Sequence, residues 1–144
     1  MDMEITPQMG IGRLMLGMSR DDARRALPGL RDKSRKILKI QIFEDYSEED
    51  GVEVHYMDGK DGKSLTVMTI CLYAPARPWL FGRLLLGMSY DDASIWMEKL
   101  DPASYEEEES IYSPTHGLEL YAANLAEDRK TPITSVSMWD PSNE

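Results

Sequence analysis

Gly12-Arg13-Leu14-Met15-Leu16-Gly17-Met18-Ser19-Arg20-Asp21-Asp22-Ala23 recurs without a gap as Gly82-Arg83-Leu84-Leu85-Leu86-Gly87-Met88-Ser89-Tyr90-Asp91-Asp92-Ala93. Only the fourth and ninth positions differ. Two such stretches about 70 residues apart in a chain of 144 residues leave room for two small units of one design and little else. A unit of that size buries a small fraction of its surface alone, so the two are expected to pack edge to edge or face to face around a shared core.

Within each copy the apolar run, Ile11 to Leu16 or Leu80 to Leu86, alternates as a half-buried strand does. Gly17 and Gly87 can turn the chain at positive φ, which places Ser19 and Ser89 at helix N-caps. Asp22 and Asp92 follow three residues later as a near capping box. Acidic side chains in a first helical turn interact favourably with the free N–H groups and the helix dipole, so Asp21-Asp22 and Asp91-Asp92 read as structural rather than as a metal site. The helices are predicted from Arg20 to Leu27, stopped by Pro28-Gly29, and from Tyr90 to Leu100, stopped by Asp101-Pro102. In the second, Ala93, Trp96, Met97 and Leu100 form one apolar face.

Beyond each helix the period changes from helical to alternating. Lys36 to Phe43 reads as a strand. Tyr46 to Tyr56 aligns with Tyr112 to Tyr121, placing Val52, Val54 and Tyr56, or Leu118 and Leu120, inward, with Glu53, His55, Glu119 and Tyr121 outward. Polar turns at Asp58-Gly59-Lys60-Asp61-Gly62 and Glu127-Asp128-Arg129-Lys130 lead to last strands over Leu65 to Leu72 and Ile133 to Met138. The expected fold is α+β: two tandem strand-helix-three-strand repeats, residues 1–73 and 80–144, with short helices packed on antiparallel sheet. A Pro-containing linker, residues 74–79, joins them.

Composition sets further bounds. Apolar residues at 42% and charged ones at 29% are the balance of a globular protein. The start, Met1-Asp2-Met3-Glu4, lacks a basic and apolar leader, and no apolar run reaches membrane-spanning length, so a cytoplasmic location without membrane association is expected. Cys71 is the single cysteine and sits in an apolar run, which suits a buried structural thiol. The net charge of −10 is uneven: ten acidic residues from Asp101 onward face only Arg129 and Lys130, whereas Arg20 to Lys39 is basic. Such a surface disfavours nucleic acid and favours a basic protein partner.

A strand ending in Leu16-Gly17-Met18-Ser19 or Leu86-Gly87-Met88-Ser89, followed by a short helix and an antiparallel meander, resembles the repeat unit of the beta-lactamase inhibitory protein and the related small lipoprotein of the outer-membrane assembly machinery. The resemblance implies paired helix-plus-sheet units that present a sheet to a target protein. The chain departs from it in having no lipid-attachment cysteine, export signal or disulfide pair, so what carries over is a protein-holding scaffold, not lactamase inhibition or envelope assembly. Small acidic proteins of this kind are also similar to the immunity proteins that bacteria pair with polymorphic toxins.

No HxxxH, CxxC, EF-hand, phosphate-loop or nucleophile-elbow pattern is present. His55 and His116 do not occupy aligned positions. The expectation is therefore a non-catalytic inhibitor without cofactor or metal, most plausibly an immunity protein for a basic toxin or enzyme. A structural adaptor, a self-associating module and a small-molecule-binding domain are the alternatives. The partner-binding residues are read as Asp45, Tyr46, Glu48, Glu49, Glu53 and His55 in the first copy, and Tyr105, Glu106, Glu107, Glu108, Glu109, Tyr112, Glu119 and Tyr121 in the second. Tyr gives rigid contact area there, and the carboxylates suit arginines or lysines.

Overall fold

The computed structural model describes residues 2–59, 61–125 and 128–143. The first half runs β1 (Asp2–Thr6), β2 (Gly10–Ile11), β3 (Leu14–Met15), α1 (Arg20–Ala26), β4 (Arg31–Asp32), β5 (Arg35–Ile37), β6 (Ile40–Ile42), β7 (Glu44–Ser47), β8 (Val52–Asp58) and β9 (Leu65–Tyr73). The second runs β10 (Arg77–Leu80), β11 (Arg83–Leu84), α2 (Tyr90–Leu100), β12 (Tyr105–Glu107), β13 (Ser110–Ser113), β14 (Leu118–Tyr121) and β15 (Ser135–Trp139). Lys60 and Glu127, in the two predicted turns, lie outside the described residues.

The local chemistry of the recurring stretch works as its residues suggest. Ser19 Oγ accepts the Asp22 N–H, and Ser89 Oγ accepts the Asp92 N–H, each at 3.1 Å. Gly17 and Gly87 take φ of 86° and 94°. That turn lets Gly17 N–H reach Val67 and Met18 O accept from Val67, while Gly87 and Met88 make the same pair of bonds to Ile133. The stretch therefore ties the entry of α1 to β9 and that of α2 to the segment that leads into β15, which starts at Ser135 rather than at the predicted Ile133. In the first copy the capping box closes on one side only, because the Asp22 carboxylate turns to Arg25.

Four strands from each half form one antiparallel sheet of eight, in the order β12-β13-β14-β15-β9-β8-β7-β4. The two last strands, β9 and β15, pair at its centre through Cys71↔Ser137. A second sheet, β11-β10-β1-β2-β3, joins the halves again by the parallel pairing of β1 with β10. The predicted inward residues Val52, Val54, Leu118 and Leu120 are fully buried and Tyr56 nearly so; they share one core with Ile70, Leu72, Val136, Met138, Ala23, Ala93 and Met97. Both helices lie on that inner face, with Trp96 and Leu100 packed at its margin. A shared core raises the fraction of surface buried above what a unit of this size reaches by itself.

Three expectations need correction. The runs at Ile11 to Leu16 and Leu80 to Leu86 are not single strands, because tight turns at Gly12-Arg13 and Phe81-Gly82, with positive φ at Gly12, Phe81 and Gly82, fold each into a hairpin. Lys36 to Phe43 is not a core strand. It is the hairpin β5–β6, which among the described residues pairs only with itself and leaves Leu38 92% and Ile40 67% exposed. Finally, each half adds four strands to the main sheet rather than three, because the short edge strands β4 and β12 carry no apolar alternation to mark them. Residues 77–79 of the expected linker belong to β10.

Candidate partner-binding face

Strand pairing assembles a row of side chains across the outer face of the large sheet, away from the helices. From β4 to β12 it reads Arg31, Tyr46, Glu53, Cys71, Ser137, Glu119, Tyr112, Tyr105. Its centre lies between Cys71 and Ser137, whose Sγ and Oγ are 2.8 Å apart. Outward from there each half places Glu and then Tyr, so Glu53 and Tyr46 mirror Glu119 and Tyr112. The neighbouring row adds Tyr73, Ser135 and Tyr121. Five of the seven tyrosines of the chain, Tyr46, Tyr73, Tyr105, Tyr112 and Tyr121, thus share one open face.

Most of the predicted residues meet there. Tyr46, Glu53, His55, Tyr105, Glu107, Tyr112, Glu119 and Tyr121 alternate outward on paired strands. Tyr105 and Tyr112 stack with ring centroids 5.1 Å apart. Glu108, at φ 56°, and Glu109 form the turn between β12 and β13. Glu48 and Glu49 stand on the β7–β8 turn beside a shallow pocket of about 240 Å³ that also touches Gly29, Arg31 and Tyr46.

Asp45 and Glu106 do not belong to this face. Asp45 alternates inward with Val54 and is fully buried. Arg20 and Arg24 donate to its Oδ1 at 2.7 and 2.8 Å, and the Tyr56 hydroxyl donates to Oδ2 at 2.7 Å. Burial alone would push this carboxyl up; the bonds from Arg24, Arg20 and Tyr56 outweigh it and hold it at about 2. It is a structural charge under α1. Glu106 alternates away from Tyr105 toward α2, where it accepts from Arg129 and Ser94.

The two ends of the face differ in charge. In the first half, Lys33 Nζ lies 3.2 Å from Glu53 Oε2, His55 Nε2 lies 2.9 Å from Glu53 Oε1, and Arg35 lies 3.3 Å from Glu44 Oε1. His55 and Lys33 outweigh the burial of Glu53 and hold its carboxyl below the usual range. Glu44, Glu53 and His55 place three ligand-type atoms within 4.8 Å of one another, but the two carboxylates already face Arg35 and Lys33. In the second half the equivalents of Lys33 and Glu44, by strand register, are Glu107 and Ser110. Glu119 accepts from Ser110 Oγ at 2.6 Å, and no ion pair reaches it among the described residues.

The tyrosines respond to these surroundings. Burial and the nearby Glu119 push the Tyr112 hydroxyl up, burial with Glu53 and Glu48 does so for Tyr73, and the Glu109 carboxylate does so for Tyr121. All stay neutral donors at physiological pH. Cys71, at the centre of the face, is pushed up by burial, which disfavours its thiolate.

Sequence reading missed Tyr73, Lys33 and Ser110, whose roles follow from cross-strand register. Extending the outward alternation of β9 from Cys71 by two residues would have reached Tyr73. It also missed the exposed β5–β6 hairpin, whose signal was the basic interruption at Lys36 and Lys39.

No family model and no curated protein matches the chain. Among solved structures it is similar to the crystal structure of the uncharacterized protein yfeY from Escherichia coli, with a TM-score of 0.59 and 9% sequence identity over 96% of this chain and 99% of that one. At that identity the likeness is one of fold, and it extends over nearly the whole of both chains.

Proposed function

We propose that the chain is two copies of one helix-and-sheet unit and acts as a non-catalytic protein-binding inhibitor, an immunity protein whose open sheet face holds a basic toxin or enzyme. The observation that carries the proposal is the Tyr–Glu row mirrored about Cys71 and Ser137. An outer sheet face needs only polar residues to be soluble. This one concentrates tyrosines, the residue type that supplies large contact area at low entropic cost, and sets carboxylates among them. The resemblance to sheet-presenting inhibitors agrees with that reading.

The test begins with affinity capture of the tagged protein from its native host at low and high salt, followed by reconstitution of the binary complex. The proposal expects one basic partner at 1:1 stoichiometry, inhibited on binding, with association slowing as salt rises. Tyr46→Ala and Tyr112→Ala should each weaken the complex by at least tenfold. A partner that binds these variants as tightly as the parent, or that is not inhibited, would sink the proposal.

A further inference from the structure

The mirrored row contains its own control. At Glu53 the chain supplies a cation, Lys33, to a half-buried carboxylate flanked by Tyr46. At the mirrored Glu119 the flanking tyrosine is kept as Tyr112, and a second one, Tyr105, is stacked on it. There the cation is gone, and the position that matches Lys33 is Glu107. Ser110, itself buried, holds one oxygen of Glu119, and the other accepts no hydrogen bond among the described residues.

We propose that Glu119, walled by Tyr112, Tyr105 and Tyr121, is a socket for one arginine side chain of the protein partner. The proposal rests on the face being a partner surface and names the group that surface reads. A half-buried carboxylate attracts a cation more strongly than a fully solvated one, because screening by water is weaker. Lys33 shows that a cationic side chain fits the mirrored geometry. Arginine rather than lysine is favoured because its flat guanidinium can lie against the stacked rings while donating to Glu119 and Glu107 together. The other acids nearby do not compete for it: Glu106 turns to Arg129 on the helix side, and Glu109 faces the Tyr121 hydroxyl.

The experiment needs no partner. N-acetyl-L-arginine amide is titrated into the ¹⁵N-labelled full chain and followed by amide chemical shifts, with the lysine analogue alongside. The expected result is saturable shifts at Tyr105, Tyr112, Glu119 and Tyr121, at least threefold tighter for arginine than for lysine. Glu119→Gln should abolish them, and Tyr112→Leu should weaken binding and erase the preference for arginine. Lys33→Gln combined with His55→Tyr, which removes both partners of the Glu53 carboxylate and gives the mirrored site the tyrosine found at 121, should create a second set of shifts around Glu53 and Tyr46. Shifts spread over the whole acidic surface, indifference to Glu119→Gln, or no second site in the Lys33→Gln, His55→Tyr variant would each overturn the socket. A reconstituted complex that is lost with Tyr46→Ala but keeps its affinity in Glu119→Gln would also remove the socket while leaving the partner face standing.

Discussion

Position 20 is one of the two at which the recurring stretches differ, and the structure shows why a change there is not confined to one residue. Arg20 needs Asp45, which also takes Arg24 and Tyr56. In the second half the same places hold Tyr90, Ser94, Ile111 and Ala122: Tyr90, Ile111 and Ala122 are buried without a charge among them, and the Tyr90 hydroxyl donates to Ser110 O. The two halves thus show an ionic and an uncharged solution to one packing problem. Removing Asp45 alone strands two guanidinium groups, so Asp45→Ala should cost about 3 kcal/mol in urea denaturation. Converting the set together, with Arg20→Tyr, Arg24→Ser, Asp45→Ile and Tyr56→Phe, should recover most of that loss. The pH dependence follows from the sign of the shift. Asp45 sits at about 2 in the fold against an ordinary 3.8, so its contribution is complete above roughly pH 5 and disappears as pH falls toward 2. Between those limits the parent should lose stability more steeply than the converted variant, as read from denaturation midpoints.

The helices and the central strands were legible in the sequence because each carries a period tied to its own burial. Helix α2 has the predicted limits, α1 is one residue shorter, and Val52, Val54, Leu118 and Leu120 point inward as their alternation requires. Ser19→Ala or Ser89→Ala should cost about 1 kcal/mol each, since each hydroxyl holds one N–H of a short helix. What misled was the β5–β6 hairpin, where Leu38, Ile40 and Ile42 alternate without a core to meet. Leu38 holds φ at 57° at its tip, a conformation a leucine adopts at a cost of roughly 1 kcal/mol or more. In the second half Glu108 and Glu109 turn directly between the matching strands, so residues 35–42 are an addition. Deleting them, with Ser34→Asn and Phe43→Gly to form a type I′ turn, should leave a cooperatively folded protein. Circular dichroism and thermal melting would check this, and a variant without a melting transition would show that the hairpin supports the sheet. The edge strands and the outer row were only partly legible, because membership of one face depends on register between distant strands. The Tyr46 and Tyr112 alignment gave the symmetry, but only pairing through β9 and β15 brings the two copies into one line and turns Asp45 and Glu106 away from it.

For the molecule as a whole, the pairing of β9 with β15 and of β1 with β10 joins the two halves into a single sheeted body. The charges that would steer the proposed basic partner belong at this scale. Reversing Glu107, Glu108 and Glu109 to lysine should slow association with a basic partner by about tenfold at low salt, and by less at high salt. Glu106 is omitted because it pairs with Arg129, so reversing it would disturb the packing of α2. Stopped-flow association at two ionic strengths would read the difference, and equal slowing at both would argue against steering.

The opposite ends of the large sheet carry opposite charge. Lys33, Arg35, Lys36 and Lys39 gather beside β4, and Glu106 to Glu109 line β12 and its turn, seven strand spacings away, or about 34 Å. On top of its net charge of −10, the molecule therefore has an electric dipole moment lying along the hydrogen-bond direction of the sheet. In the field of a cationic surface it experiences a torque as well as an attraction, and it swings its β12 end forward before contact is made. For the basic partner proposed above, much of the orientational search that limits association would thereby be completed at a distance.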